Sequence, residues 1–181
     1  LAALGGASLS APASEVRPRE LVFPRDHGAH PATRIEWWYA TGWLARTGES
    51  TPAWGFQLTF FRSRTGLAEG LQSRFAARQL LFAHAALTDL AARRLVHAER
   101  IARWNGEPSM PLGDAAVDDT RVQIGPWRFV REDAGAADRY TSRIVADDDA
   151  GFGWTLGLAT TQPRLLQGQA GFSRKGPLPT Q

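Results

Sequence analysis

WGFQLTFFR, residues 54–62, alternates in character: Phe56, Leu58 and Phe60 fall on one side, Gln57 and Thr59 on the other. A period of two marks a strand with one face buried and the other in solvent. The stretch before it, RIEWWYATGWLA over 34–45, is also read as a strand, but with aromatics on both faces. Glu36, Trp38, Ala40, Gly42 and Leu44 share one face; Ile35, Trp37, Tyr39, Thr41 and Trp43 share the other. Either both faces are covered or one lines a cavity, and the prediction is a cavity behind Glu36-Trp38-Ala40-Gly42, with Trp37 and Trp43 packed outside.

Outward from this pair, short apolar runs recur between turn residues. QLLFAHAALT (79–88) and residues 94–103 read as two strands around an Asp89–Ala92 turn. Residues 122–131 read as a strand interrupted at Gly125-Pro126, where a bulge or edge is expected. Residues 140–146 and 154–160 follow, the last with Trp154, Leu156 and Leu158 on one side. Residues 63–78 read as a long polar loop, and Pro18, Pro24 and Pro31 keep the lead-in 15–33 out of a helix. The expectation is an all-β protein, an antiparallel meander of about eight strands that closes into a lipocalin-like β-barrel.

The chain has 181 residues, a length for one domain that can bury roughly 70% of its unfolded surface. The net charge is +3, but Lys175 is the only lysine and the arginines are scattered among acids, with only Arg93 and Arg94 adjacent. No stripe suited to phosphates results, so no nucleic-acid partner is expected. No apolar run of about 18 residues occurs, so the chain is not expected to span a membrane. The absence of cysteine excludes disulfides and thiol chemistry. LAALGGASLSAPAS, residues 1–14, resembles the end of a signal peptide, so export to the periplasm or cell envelope is expected, with residues 15–181 as the folded domain.

Candidate chemistry concentrates in Asp26-His27-Gly28-Ala29-His30 and Glu36-Trp37-Trp38-Tyr39. His27, His30 and Glu36 are the candidates for proton transfer. His27 and His30 sit in a loop with Pro31, which favours neither a metal site nor a helical ligand pair. Glu36, facing inward, would either carry a pKa raised by burial or pair with an arginine such as Arg34 or Arg62. Trp37, Trp38 and Tyr39 are candidate ligand contacts, since such rings offer apolar area with a polar handle. His84 shares a face with Leu80, Phe82, Ala86 and Thr88; it is expected to be a core histidine and is a further ligand candidate. No nucleophile elbow, phosphate loop or dinucleotide fingerprint appears, and no cofactor is expected.

Together DHGAH (26–30), EWWYATGWL (36–44), GFQLTFFR (55–62), FAHAALTD (82–89) and LLQGQAGFSRKG (165–176) resemble the carotenoid 1,2-hydratase (hydroxyneurosporene synthase) family and its AttH-like secreted relatives. The resemblance implies two consecutive lipocalin-like barrels, of which this chain would be the first. It implies, for the hydratases, addition of water across a carbon–carbon double bond of an acyclic carotenoid. The catalytic acid of those enzymes belongs to the second barrel, so only Asp26, His27, His30, Glu36, Trp37, Trp38 and Tyr39, with His84 and Asp89, carry over. Two readings follow: part of a hydro-lyase or hydrolase acting on a lipid or isoprenoid, or a non-catalytic envelope carrier of a hydrophobic small molecule. Carbohydrate binding through exposed tryptophan is a third.

Overall fold

The computed structural model describes residues 16–67, 70–71, 73, 75–104, 112–132, 138–145, 151–174 and 176–177. The expected leader, residues 1–14, lies outside them. After one 3-10 turn at Arg25–His27, the described residues form nine strands. β1 (Ile35–Ala45), β2 (Pro52–Arg64), β3 (Gln79–Asp89) and β4 (Arg94–Trp104) make one sheet. β5 (Gly113–Ala115), β6 (Arg121–Ile124), β7 (Trp127–Glu132), β8 (Arg139–Val145) and β9 (Gly153–Ala159) make the second. Each strand pairs antiparallel with its sequence neighbour inside its own sheet. The all-β, antiparallel expectation is therefore the observed class. No described helix is long and apolar enough to cross a membrane.

The alternation in β2 decides which way the first sheet faces. Phe56, Leu58 and Phe60 are buried, and Leu81, Ala83 and Ala85 of β3 point the same way. The register sets large against small, Phe60 opposite Ala83 and Leu58 opposite Ala85. These side chains meet Val122, Ile124, Trp127, Phe129 and Ile144 of the second sheet in one core. Complete burial of a large apolar side chain stabilises by about 1.5–3 kcal/mol relative to exposure, so this shared face dominates the packing. Among the described residues no ladder joins β4 to β5 or β9 to β1, and the two sheets meet through side chains.

Two local expectations are corrected. Residues 122–131 are two strands, with Gly125-Pro126 as the hairpin turn between Ile124 and Trp127. Gly125 has φ +56°, open to glycine at little cost, and proline supplies the negative φ beside it. His84 is not in the core. Its face of β3 is the outer one, because the alanines on the opposite face leave room for Phe60 and Leu58; the His84 side chain is 49% exposed. There it lies beside Phe61 and Phe82, ring centroids 5.6 and 6.3 Å away. β5 escaped the sequence reading because it is only three residues long. Its Gly113 lies so close to β4 that a Cβ would stand 2.8 Å from that of Ala102.

Candidate functional site

The lead-in loop closes one end of the space between the sheets. Ala29 is fully buried and its N–H donates to the Ala116 carbonyl at 2.7 Å. Gly28 passes the backbone of Val117 so tightly that a Cβ would lie 2.6 Å from its carbonyl carbon. The His27 carbonyl accepts from Trp38 Nε1 at 2.9 Å and Thr120 Oγ1 at 3.0 Å, tying loop, first sheet and second sheet together.

The loop delivers His30 between two carboxylates. Its Nε2 lies 3.0 Å from Asp26 Oδ1 and its Nδ1 3.0 Å from Glu36 Oε2. Carboxylate oxygens only accept, so both contacts are satisfied when both ring nitrogens carry hydrogen, as in the imidazolium. The Glu36 hydrogen bond is the main cause raising the His30 pKa, reinforced by Asp26 against the opposing effect of burial. Asp26 is bonded by both Arg19 guanidinium nitrogens, at 2.5 and 2.7 Å, and its pKa falls well below the usual carboxylate range.

Glu36 faces inward, as the alternation of β1 predicts, but its pKa is not raised. Burial pushes it up, yet hydrogen bonds from the His30 ring, Arg62 and the His30 backbone N–H outweigh burial and lower it. Of the two arginines named from sequence, the partner is Arg62, whose Nε donates to Glu36 Oε1. Arg62 is wholly buried and also donates to Gln79 Oε1 at 2.5 Å and to the carbonyls of His30 and Thr33, each at 2.9 Å. The result is a chain of alternating charge, Arg19–Asp26–His30–Glu36–Arg62.

Beside this chain opens a cleft of about 620 Å³ between β1 and the β8–β9 edge of the second sheet. Trp38, Ala40, Phe129, Tyr140 and Leu158 give it apolar walls, and Asp26, His27, His30 and Glu36 line its polar end. Trp37 and Tyr39 border it as well, although their side chains lie on the outer face and are 48% and 62% exposed at the residue level. A second cavity, of about 530 Å³, lies on the other side of His30 and Glu36, against Val16, Leu21, Ile35 and Phe172. Trp43 is likewise on the outer face. His84 borders neither cavity, and Asp89 accepts from Ala92 N at 2.9 Å in the β3–β4 turn.

The sequence reading singled out neither Phe129 nor Tyr140. Tyr140 shares a face of β8 with Ser142 and Ile144, both buried, and that alternation was the available signal. Its ring stacks on Phe129 at 5.4 Å, and burial raises its pKa, keeping the phenol neutral. His27 is also held uncharged, first by burial and then by the nearby Arg131 guanidinium. Arg131 is itself bonded to Asp119 and Asp138, and Arg164 reaches Asp138 from the other side. Among the described residues no group of three His, Cys, Asp or Glu side chains is placed to hold a metal ion.

Comparison with known proteins agrees with this architecture. The model of the family described as AttH-like matches residues 14–181. A crystal structure of a protein provisionally described as an AttH, from Nitrosomonas europaea, is 44% identical with a TM-score of 0.74. The match covers 92% of this chain and 46% of that one, so the chain spans about half the length of that relative. No curated protein matches.

Proposed function

We propose, from the premise that this chain belongs to the AttH-like family, that it binds a hydrophobic small molecule of the lipid or isoprenoid class in the cleft between β1 and β9. The observation that carries this reading is the cleft itself: about 620 Å³, walled by Trp38, Phe129, Tyr140 and Leu158, with polar groups gathered at one end. An apolar cavity with few convergent polar groups is the usual form of a small-molecule site. The two sheets are read as the halves of a lipocalin-like barrel, supported by their sequential antiparallel order and shared interior. The remainder of a relative twice as long is read as a second domain of the same kind, and the protein as exported to the envelope.

Binding without chemistry is favoured over hydration or hydrolysis by the state of the titratable groups. Protonating an alkene needs an acid, and Glu36 is held as carboxylate by His30 and Arg62. A general base needs a free imidazole nitrogen: both of those on His30 face carboxylates, whereas His27, held neutral by burial, keeps an unpartnered Nε2 on the cleft lining. The carrier reading therefore fits the state of Glu36 and His30, and His27 is the group on this lining left for proton transfer. Titration with retinol, a neutral polyene, tests this. Saturable quenching of tryptophan fluorescence at one molecule per chain is expected; quenching that never saturates rules the site out.

A further inference from the structure

The polar end of the cleft has an unusual inventory of hydrogen-bonding capacity. Among the described residues no arginine or lysine lines it; its charged side chains are Asp26, Glu36 and His30. Asp26 accepts from Arg19 twice, from His30 Nε2 and from Val22 N at 2.6 Å. Glu36 accepts from Arg62, from His30 Nδ1 and, through both oxygens, from His30 N at 2.8 and 3.0 Å. A carboxylate offers about four acceptor positions, so both are filled. The one cation on the wall among the described residues, His30, has both nitrogens committed to these same carboxylates.

An anionic head group entering here meets two carboxylates and no available charged donor. Placing like charges together in a partly desolvated site is costly. A cationic head group meets carboxylates whose acceptor positions are taken, and it must shed water without gaining a partner. Among the described residues two groups on the lining remain open to a ligand, His27 Nε2, which is buried without a hydrogen-bond partner, and the Tyr140 hydroxyl. The Tyr140 hydroxyl has no hydrogen-bond partner among the described residues, and its ring is fixed against Phe129. A neutral phenol both donates and accepts, which matches an alcohol that does the same.

We propose that the cleft selects a neutral, hydroxyl-headed amphiphile over lipids with a charged head group, with Tyr140 as the polar anchor. This deepens the hydrophobic-ligand reading and rests on it. The internally paired chain from Arg19 to Arg62 then acts as an electrostatic filter: it holds the loop in place while its charged groups are committed to one another.

The test is competition against bound retinol at pH 7 with three probes of one chain length: dodecan-1-ol, dodecanoate and dodecylammonium. The alcohol is expected to compete about tenfold better than either ion, a difference of about 1.4 kcal/mol. Tyr140→Phe, which keeps the ring stack, is expected to weaken the alcohol roughly fivefold, the size of one hydrogen bond, and to leave the ions unchanged. If all three probes compete alike, or an ion competes better, selection by head group is overturned while the hydrophobic site stands. If the alcohol wins but Tyr140→Phe changes nothing, Tyr140 is not the anchor. If retinol itself fails to bind, both readings fall.

Discussion

Arg62 and Glu36 sit directly opposite each other in the β1–β2 register, and the Arg62 guanidinium, wholly buried, donates to the Glu36 carboxylate. The pairing places a charged group inside a β-protein core. It is compatible with folding because the same guanidinium reaches Gln79 and the His30 and Thr33 carbonyls. Removing one partner of a buried pair leaves the other desolvated and uncompensated. Arg62→Met should therefore destabilise the domain by about 3–5 kcal/mol, read from the shift of the urea midpoint. A loss below about 1 kcal/mol, as for a surface pair, would contradict this role.

His30 makes stability depend on pH above its ordinary pKa. Its folded pKa lies above the ordinary value of 6.5, so its contribution is complete below that pH and is lost as pH rises through the folded value. Asp26 and Glu36 act on the acid side, stabilising above their ordinary values and losing that contribution as pH falls through their lowered ones. His27, held neutral, opposes folding as pH falls below 6.5. Comparing melting temperature with pH for wild type and His30→Gln cancels the His27 effect. Wild type should lose stability on the alkaline side more steeply than the variant; parallel curves would show that His30 is not held protonated.

Gly28→Ala tests the plug formed by the lead-in loop. A Cβ at 28 meets the Val117 backbone at 2.6 Å, and the hydrogen bond from Ala29 N–H to the Ala116 carbonyl ties the two segments together beside it. The expected cost is about 1–3 kcal/mol. Gly157→Ala is the control, since nothing lies within 4 Å of its Cβ position. Chemical denaturation should separate the two variants, and equal midpoints would mean that the loop does not pass where it is placed.

Trp38 and Trp37 are neighbours in sequence and differ in task. Trp38 lies on the cleft wall and its Nε1 holds the His27 carbonyl, whereas Trp37 is about half exposed on the outer face. Trp38→Phe should weaken retinol binding and cost about 1 kcal/mol for the lost hydrogen bond. Trp37→Ala should leave binding within twofold. Fluorescence titration beside thermal melts reads both; the reverse ranking would exchange the two faces of β1.

Much of the architecture was legible because it depends on local alternation. The period of two in 54–62 identified β2 and its buried face, and the same rule set the facing of Glu36 and Trp38 in β1. Gly125-Pro126 was visible as an interruption but not as a turn, because a bulge and a two-residue hairpin share the same residues. His84 misled for a related reason: both faces of β3 are apolar, so alternation alone could not say which was inside.

What the sequence determined by itself, then, is the class of fold, the strand run from β1 to β4, and the gathering of Asp26, His30 and Glu36 within a short span of chain. Those properties follow from side-chain period and from neighbours close along the backbone. Tertiary structure alone decided that Arg62 rather than Arg34 answers Glu36, that burial does not raise the Glu36 pKa, and that Tyr140 and Phe129 reach the same cleft as Trp38. Each of these depends on the strand register or on how one sheet lies against the other. Electrostatic energy is set by distance in space: residues 36 and 62 acquire theirs from the β1–β2 register, and residue 140 reaches the cleft only when the two sheets close over a common core.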